Sequence, residues 1–145
     1  MADIGFLHLG ITVSDIDEMT AFYEKYFHLE TKANVRFDEA FIRDSPTLYR
    51  QPEGVCSDMR MLQSEDGKLT IELFQFSNVE ASEPYQWHKT GYHHLAFGVE
   101  NVPEMYERMK ADGVEFFFPP KMRGDSGAHW IFFKDPDGNM VELQD

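Results

Sequence analysis

Cysteine is nearly missing from this chain: Cys56 is the only one in 145 residues. An intramolecular disulfide is therefore excluded, and a reducing, cytoplasmic compartment is expected. Basic residues are scarce, 13 Lys and Arg against 26 Asp and Glu, leaving a formal net charge of -13. Nucleic-acid binding requires the opposite sign, and no basic stretch or DNA-binding motif is present, so no nucleic-acid partner is expected. Long apolar runs are also missing: none approaches the roughly 20 residues of a membrane span, so no membrane partner is expected either. The start, Met1 to Gly5, has no positive region before an apolar stretch and does not read as a signal peptide. What remains is an ordinary soluble balance, 42% hydrophobic and 27% charged, in one domain by length. The acidic excess reads as a solvated surface, or as an attraction for cationic ligands that include metal ions.

The chain nearly repeats itself. Residues 8–19, from His8 to Met19, align without gaps on residues 94–105, from His94 to Met105. Each copy later reaches a Gly followed by a Glu-Leu pair: Gly67 then Glu72 and Leu73, Gly138 then Glu142 and Leu143. A repeat of this length implies two similar modules rather than a solenoid. Module one is expected at about 4–76, a linker at about 77–90, which contains Pro84, and module two at about 91–145, all within a single 1–145 domain.

Phe6 to Val13 reads as a strand, with His8, Gly10 and Thr12 on one face and Leu7, Leu9, Ile11 and Val13 on the other. Asp15 with Glu18 forms a capping box. Ile16, Met19, Phe22, Tyr23 and Tyr26 then recur at helical spacing, to an end near His28, whose imidazole suits the negative C-terminal dipole. Thr31 to Phe37 is a predicted strand. Residues 38–57, with Pro46, Pro52 and Gly54, read as a long loop holding at most one short helical turn, and such loops are often binding loops. Strands 58–63 and 69–76 make a hairpin around Asp66-Gly67.

The second module runs as a strand over 92–99 and a helix over 102–112. Asn101 and Glu104 are its cap pair, Pro103 sits in the first turn, and Gly113 closes it. Strands follow near 114–118, 128–133 and 139–144, the last two joined by a turn at 135–138. Each half is thus βαβββ, and the predicted class is α+β: two βαβββ modules forming a cupped mixed sheet.

Strand alternation then sorts the polar residues. Ile71 and Leu73 suit the helix side, as do Val141 and Leu143, which leaves Glu72 and Glu142 on the open faces with His8 and His94. By the same alternation His93 falls on the other side, as a structural residue or a support for His94. One such His or Glu alone is most simply an ordinary hydrogen-bonded or solvated residue. Two His and two Glu at matched positions of a repeat are the ligand set of a divalent metal: nickel, cobalt, zinc, manganese or iron.

Several stretches together resemble the vicinal oxygen chelate superfamily, the group of glyoxalase I, methylmalonyl-CoA epimerase, extradiol dioxygenases and the bleomycin- and fosfomycin-resistance proteins. They are His8 before a capped helix, residues 70–74, residues 91–97 and residues 135–143. The resemblance implies the glyoxalase/bleomycin resistance-like fold, a metal held in the cup, and a homodimer. It is nearest to glyoxalase I, which carries ligands at all four positions, here His8, Glu72, His94 and Glu142. Dioxygenases lack an acidic residue at the position of Glu72, fosfomycin-modifying members use three ligands, and bleomycin-binding members need no metal. Residues 91–94 also resemble methylmalonyl-CoA epimerases, which usually lack the turn at 135–138. The glutathione-gripping Arg and Asn of bacterial glyoxalase I correspond here to Thr12 and Phe76, so the resemblance implies a substrate other than the glutathione hemithioacetal.

The open face around the expected site offers Gly10, Thr12, Phe74, Phe76, Ala96, Gly98 and Met140. This set reads as the wall of a pocket for a compact, partly apolar small-molecule substrate or as simple core packing. Arg123 and His129 are candidates for anion or hydroxyl contacts, in a segment, 121–127, that reads equally as a solvated loop. The chemistry expected is that of a metal-dependent lyase or isomerase: proton removal next to a metal-chelated carbonyl, with Glu142 as principal base and Glu72 as its partner. The alternatives are an epimerase, a non-catalytic protein that binds an antibiotic or metabolite, and, less favoured, an extradiol dioxygenase.

Overall fold

The computed structural model describes residues 4–145; Met1 to Asp3, part of the N-terminal stretch read above as no signal peptide, lie outside the described residues. Two compact units divide between Ala81 and Ser82.

The first unit contains β1 (Leu9–Thr12), α1 (Ile16–Phe27), β2 (Glu30–Phe37), α2 (Glu39–Asp44), α3 (Pro46–Tyr49), β3 (Ser57–Gln63) and β4 (Thr70–Phe76). Its sheet runs β1-β4-β3-β2. The first pair is parallel, Leu9 opposite Ile71 through Thr12 opposite Phe74, and the others are antiparallel. Asp15 caps α1, its carboxylate accepting from the amides of Asp17 and Glu18, while the Gln75 side chain accepts from the Ile16 amide at 2.8 Å. These bonds satisfy donors that a helix start leaves open. At the other end His28 takes a left-handed conformation, φ 52°. The apolar stripe Ile16, Met19, Tyr23 and Tyr26 is buried with Leu62, Ile71 and Leu73, so α1 covers the face of β3 and β4 that alternation assigned to it. Arg60 on β3 also reaches this side, donating to Asp17 at 2.8 Å and Thr20 at 3.0 Å.

The second unit contains β5 (His94–Gly98), α4 (Val102–Ala111), β6 (Lys121–Met122), β7 (His129–Lys134) and β8 (Met140–Gln144). Its sheet runs β5-β8-β7-β6, the order of the first unit, with β5 parallel to β8 and the rest antiparallel. The sequence repeat is therefore a repeat of topology, strand, helix and three strands closing on a parallel first-to-last pair. Asn101 caps α4 by accepting from the Glu104 amide. The helix ends in two bonds, Val114 N–H to Met109 C=O and Gly113 N–H to Lys110 C=O, with Gly113 at φ 89°. That is the Schellman pattern, which favours glycine. Val102, Met109, Ile131, Phe133, Val141 and Leu143 form the core.

Three expectations are corrected. Residues 38–57 hold two short helices, α2 and α3, rather than a loop with at most one turn; Asp38 caps the first by accepting from the Phe41 amide, and Pro46 opens the second. The strand expected at 114–118 is reduced to a single bridge, Phe116 with Phe133, and pairing resumes only at β6, Lys121–Met122. Pro119 and Pro120 lie between and have no amide hydrogen to give a ladder. The first strand starts at Leu9, not Phe6, and Leu7 is exposed rather than packed under a helix.

Candidate metal-ligand pairs

In the first unit, Gly10 on β1 is the register partner of Glu72 on β4, and Met61 on β3 is its partner on the other side. Glu72 thus stands on the open face between two buried core residues, Ile71 and Leu73. His8, just before β1, brings Nε2 to 3.4 Å from Glu72 Oε2. The second unit repeats this arrangement: Ala96 is the partner of Glu142, and His94 Nε2 lies 3.3 Å from Glu142 Oε2. Each unit therefore joins the His and Glu that its sequence copy supplied.

The two pairs differ in support. His8 is exposed and Glu72 half-buried, whereas Glu142 is buried, 8% exposed. Burial of a carboxylate requires hydrogen bonds. Here Gln144 Nε2 donates to Glu142 Oε1 at 2.7 Å, and Arg123 Nη2 donates to Gln144 Oε1. A guanidinium, an amide and a carboxylate are thus joined in series, and Glu142 Oε2 is left to face His94. Arg123 reaches the Glu142 carboxylate through Gln144, a residue that the sequence reading passed over although its alternation with Glu142 on β8 places both on one face.

The other predicted site residues divide. Met140 is the register partner of His94 on β5, and Thr12 pairs in register with Phe74; Thr12, Phe74 and Phe76 lie on the face of Glu72. His129 does not share the face of Glu142. Phe132 is the register partner of Glu142, so alternation turns His129 to the side of Ile131 and Phe133. There its Nδ1 lies 3.4 Å from Asp145 Oδ2, and its amide donates to Asp145 Oδ1 at 2.5 Å. The reason is parity: an even number separates Glu142 from Gln144, but His129 is an odd step from Phe132.

Three further rings, Phe37, Phe41 and Tyr49, join Phe74 and Phe76 on the first unit's open face. Phe37 stacks on Phe41, centroids 4.6 Å apart and planes 11° apart, and on Phe74 at 6.1 Å. Tyr49 touches both Phe41 and Phe76. The segment 38–57 is thereby tied to β4; its length and prolines were the signal that marked it, not any periodicity.

His93 also departs from its expected place. Strand pairing begins only at His94, Gly91 before it has φ 137°, and the irregular backbone lets both imidazoles turn the same way. His93 Nδ1 lies 2.6 Å from His94 Nδ1.

The donor set fits a divalent ion. Ligand atoms about 2.1 Å from a metal stand roughly 3.0 Å apart at a right angle and roughly 3.4 Å apart at the tetrahedral angle. The observed N–O separations of 3.4 and 3.3 Å suit two neighbouring ligands of one ion. Among the described residues no group of three or more His, Cys, Asp or Glu is gathered for a metal, so each unit offers a pair.

The family model described as the Glyoxalase/Bleomycin resistance protein/Dioxygenase superfamily matches residues 5–143, and the chain belongs to that superfamily. A Brassica oleracea protein named "Putative lactoylglutathione lyase" is 26% identical over 143 residues, 95% of this chain and 43% of that protein. The chain thus spans less than half the length of this curated relative. A glyoxalase family protein from Bacillus cereus superposes with a TM-score of 0.81 at 19% identity, over 99% of this chain and 95% of the other. A mutant of the fosfomycin resistance protein FosX from Listeria monocytogenes, crystallised with Mn(II) and dihydroxypropylphosphonic acid, gives a TM-score of 0.66 at 26% identity, over 98% of this chain and 92% of the other. The fold is that of the glyoxalase/bleomycin resistance-like proteins.

Proposed function

We propose that the protein is a divalent-metal-dependent lyase or isomerase of glyoxalase I type, with a small substrate other than the glutathione hemithioacetal. The observation that carries this reading is the recurrence of one His–Glu pair, at 3.4 and 3.3 Å, at matched positions of two units with the same strand order. His8, Glu72, His94 and Glu142 would make up one ligand set, drawn from one chain or from a homodimer. A bound divalent ion supplies a Lewis acid that stabilises negative charge on an enolate oxygen. Glu142 is the principal base: Gln144 occupies its Oε1, so Oε2, the oxygen that faces His94, would serve as metal ligand and as base by turns, taking the proton from the carbon next to the substrate carbonyl. Glu72, the more solvated carboxylate, returns a proton. Thr12, Phe74, Phe76 and Met140 contact the substrate's apolar part.

Carbon-bound deuterium uptake tests this reading. Metal-loaded protein incubated in D2O with a panel of 2-hydroxycarbonyl compounds and acyl thioesters should exchange the hydrogen next to one carbonyl. Glu142→Gln should slow that exchange about 100-fold or more, the usual worth of a positioned base. Exchange at the wild-type rate in that variant would remove Glu142 from the role.

A second reading has its own support. The Phe37–Phe41 stack, with Phe41 half exposed, suits a flat apolar ligand held without chemistry, as a non-catalytic binding protein would hold it. Tight binding of such a ligand by metal-free protein would favour it.

A further inference from the structure

The segment from Tyr85 to His94 was expected to be linker and strand start, yet it builds a support for one imidazole. Tyr85 Oη donates to the carbonyls of Lys89 and Gly91, the second at 3.3 Å. The Trp87 ring lies 4.2 Å from the His93 ring and 5.5 Å from the His94 ring, and it meets Phe132 edge-on at 5.8 Å. Successive strand residues point to opposite faces, so two consecutive rings can bond only where the backbone leaves the pleat. Gly91, at φ 137°, is where it does so.

We propose that His93 is a positioning residue for His94: an imidazole–imidazole hydrogen bond holds His94 Nδ1 and commits Nε2 to face Glu142. At 2.6 Å between the two Nδ1 atoms, one carries a proton and the other a lone pair. The tautomers of the two rings are therefore linked. With a proton on Nε2, directed at Glu142 Oε2, His94 accepts from His93 Nδ1–H. With its Nε2 lone pair given to a cation, His94 carries its proton on Nδ1, and His93 accepts it. In passing from the first state to the second, the Nε2 proton of His94 leaves to solvent and the Nδ1 proton of His93 crosses to His94. Solvent returns one proton in exchange, to His93 Nε2, so each of the two states holds two protons. A partner that can both donate and accept serves both states. The geometry of the bond stands by itself; its consequence for a cation rests on the proposed metal reading.

The experiment compares wild type, His93→Phe and His93→Asn, each checked for folding by circular dichroism. Phenylalanine keeps the ring against Trp87 but can neither donate nor accept, whereas asparagine can do both. In 15N-labelled, metal-free protein, NMR should show a scalar coupling across the bond between the two Nδ1 nitrogens in wild type. His93→Phe should lose it and leave His94 in a mixture of tautomers. In a zinc competition titration, His93→Phe should bind roughly 10- to 100-fold more weakly, the usual cost of losing a ligand's supporting bond, and His93→Asn should recover most of that loss. Absence of the coupling in wild type overturns the proposal, as does wild-type zinc affinity in His93→Phe. If wild type shows the coupling but binds no zinc, the bond is upheld and the metal reading falls instead.

Discussion

Asp145 holds β8, the strand that carries Glu142, against two other elements, and its removal should be felt in both stability and register. One carboxylate oxygen accepts from the Val102 amide at 2.9 Å, at the open start of α4, and the other from the His129 amide at 2.5 Å, at the start of β7. Those bonds, that to Val102 first, hold the Asp145 carboxyl below its ordinary value of 3.8. A hydrogen bond to a charged group contributes about 1.5–3 kcal/mol. The two share one side chain and are not additive, so Asp145→Ala should cost about 3 kcal/mol overall. For a chain of this length that is roughly 6–12 °C in Tm. Asp145→Asn keeps an acceptor but loses the charge and should cost about half as much. The sign with pH follows from the lowered value: the stabilisation is full above the unfolded carboxyl's ordinary value and disappears as pH falls through the lower folded one. Wild type and Asp145→Ala should therefore differ most at neutral pH and converge in strong acid. Calorimetry from pH 7 down to pH 2 measures this, and equal Tm values at pH 7 would mean that the Asp145 carboxylate does not stabilise the fold.

Other outcomes are expected from the same contacts. Leu143→Ala, at a fully buried position of β8, should cost about 2–5 kcal/mol in chemical denaturation through the cavity it leaves, against a near-neutral change at exposed Leu48. Gly113→Ala puts a side chain at φ 89° and should destabilise by about 1–2 kcal/mol, whereas any stabilisation would contradict the assigned helix end. Asp66, in the β3–β4 turn, is held down to about 2 by the Ser64 hydroxyl and then by the Lys68 amide. Its carboxyl resonance should titrate there by NMR, and the turn should loosen only as pH falls towards that value.

Much of the fold was legible because the local signals agreed with one another. The Asp15 and Asn101 caps, the apolar stripe of α1 and the alternation around Glu72 and Glu142 all point one way. The repeat added what a single module cannot give, the matching of each His to its own Glu. The misreadings have physical sources. Alternation presumes a regular strand; it failed at His93, where Gly91 bends the backbone before pairing starts. It was set aside at His129, named for its chemistry although its parity with Phe132 puts it on the other face. Residues 38–57 were opaque because helices of six and four residues, α2 and α3, carry too few turns to show a period. Residues 114–118 carry β-prone phenylalanines, but the prolines that follow break the ladder.

Metal content decides whether the two His–Glu pairs act as proposed. Elemental analysis of the purified protein, beside its Glu72→Gln and Glu142→Gln variants, measures it most directly. One divalent ion is expected per ligand set of two His and two Glu, lost or weakened in both variants. No ion in the wild type, even after reloading with nickel, cobalt, zinc and manganese, would contradict the proposal, as would full metal content in either variant.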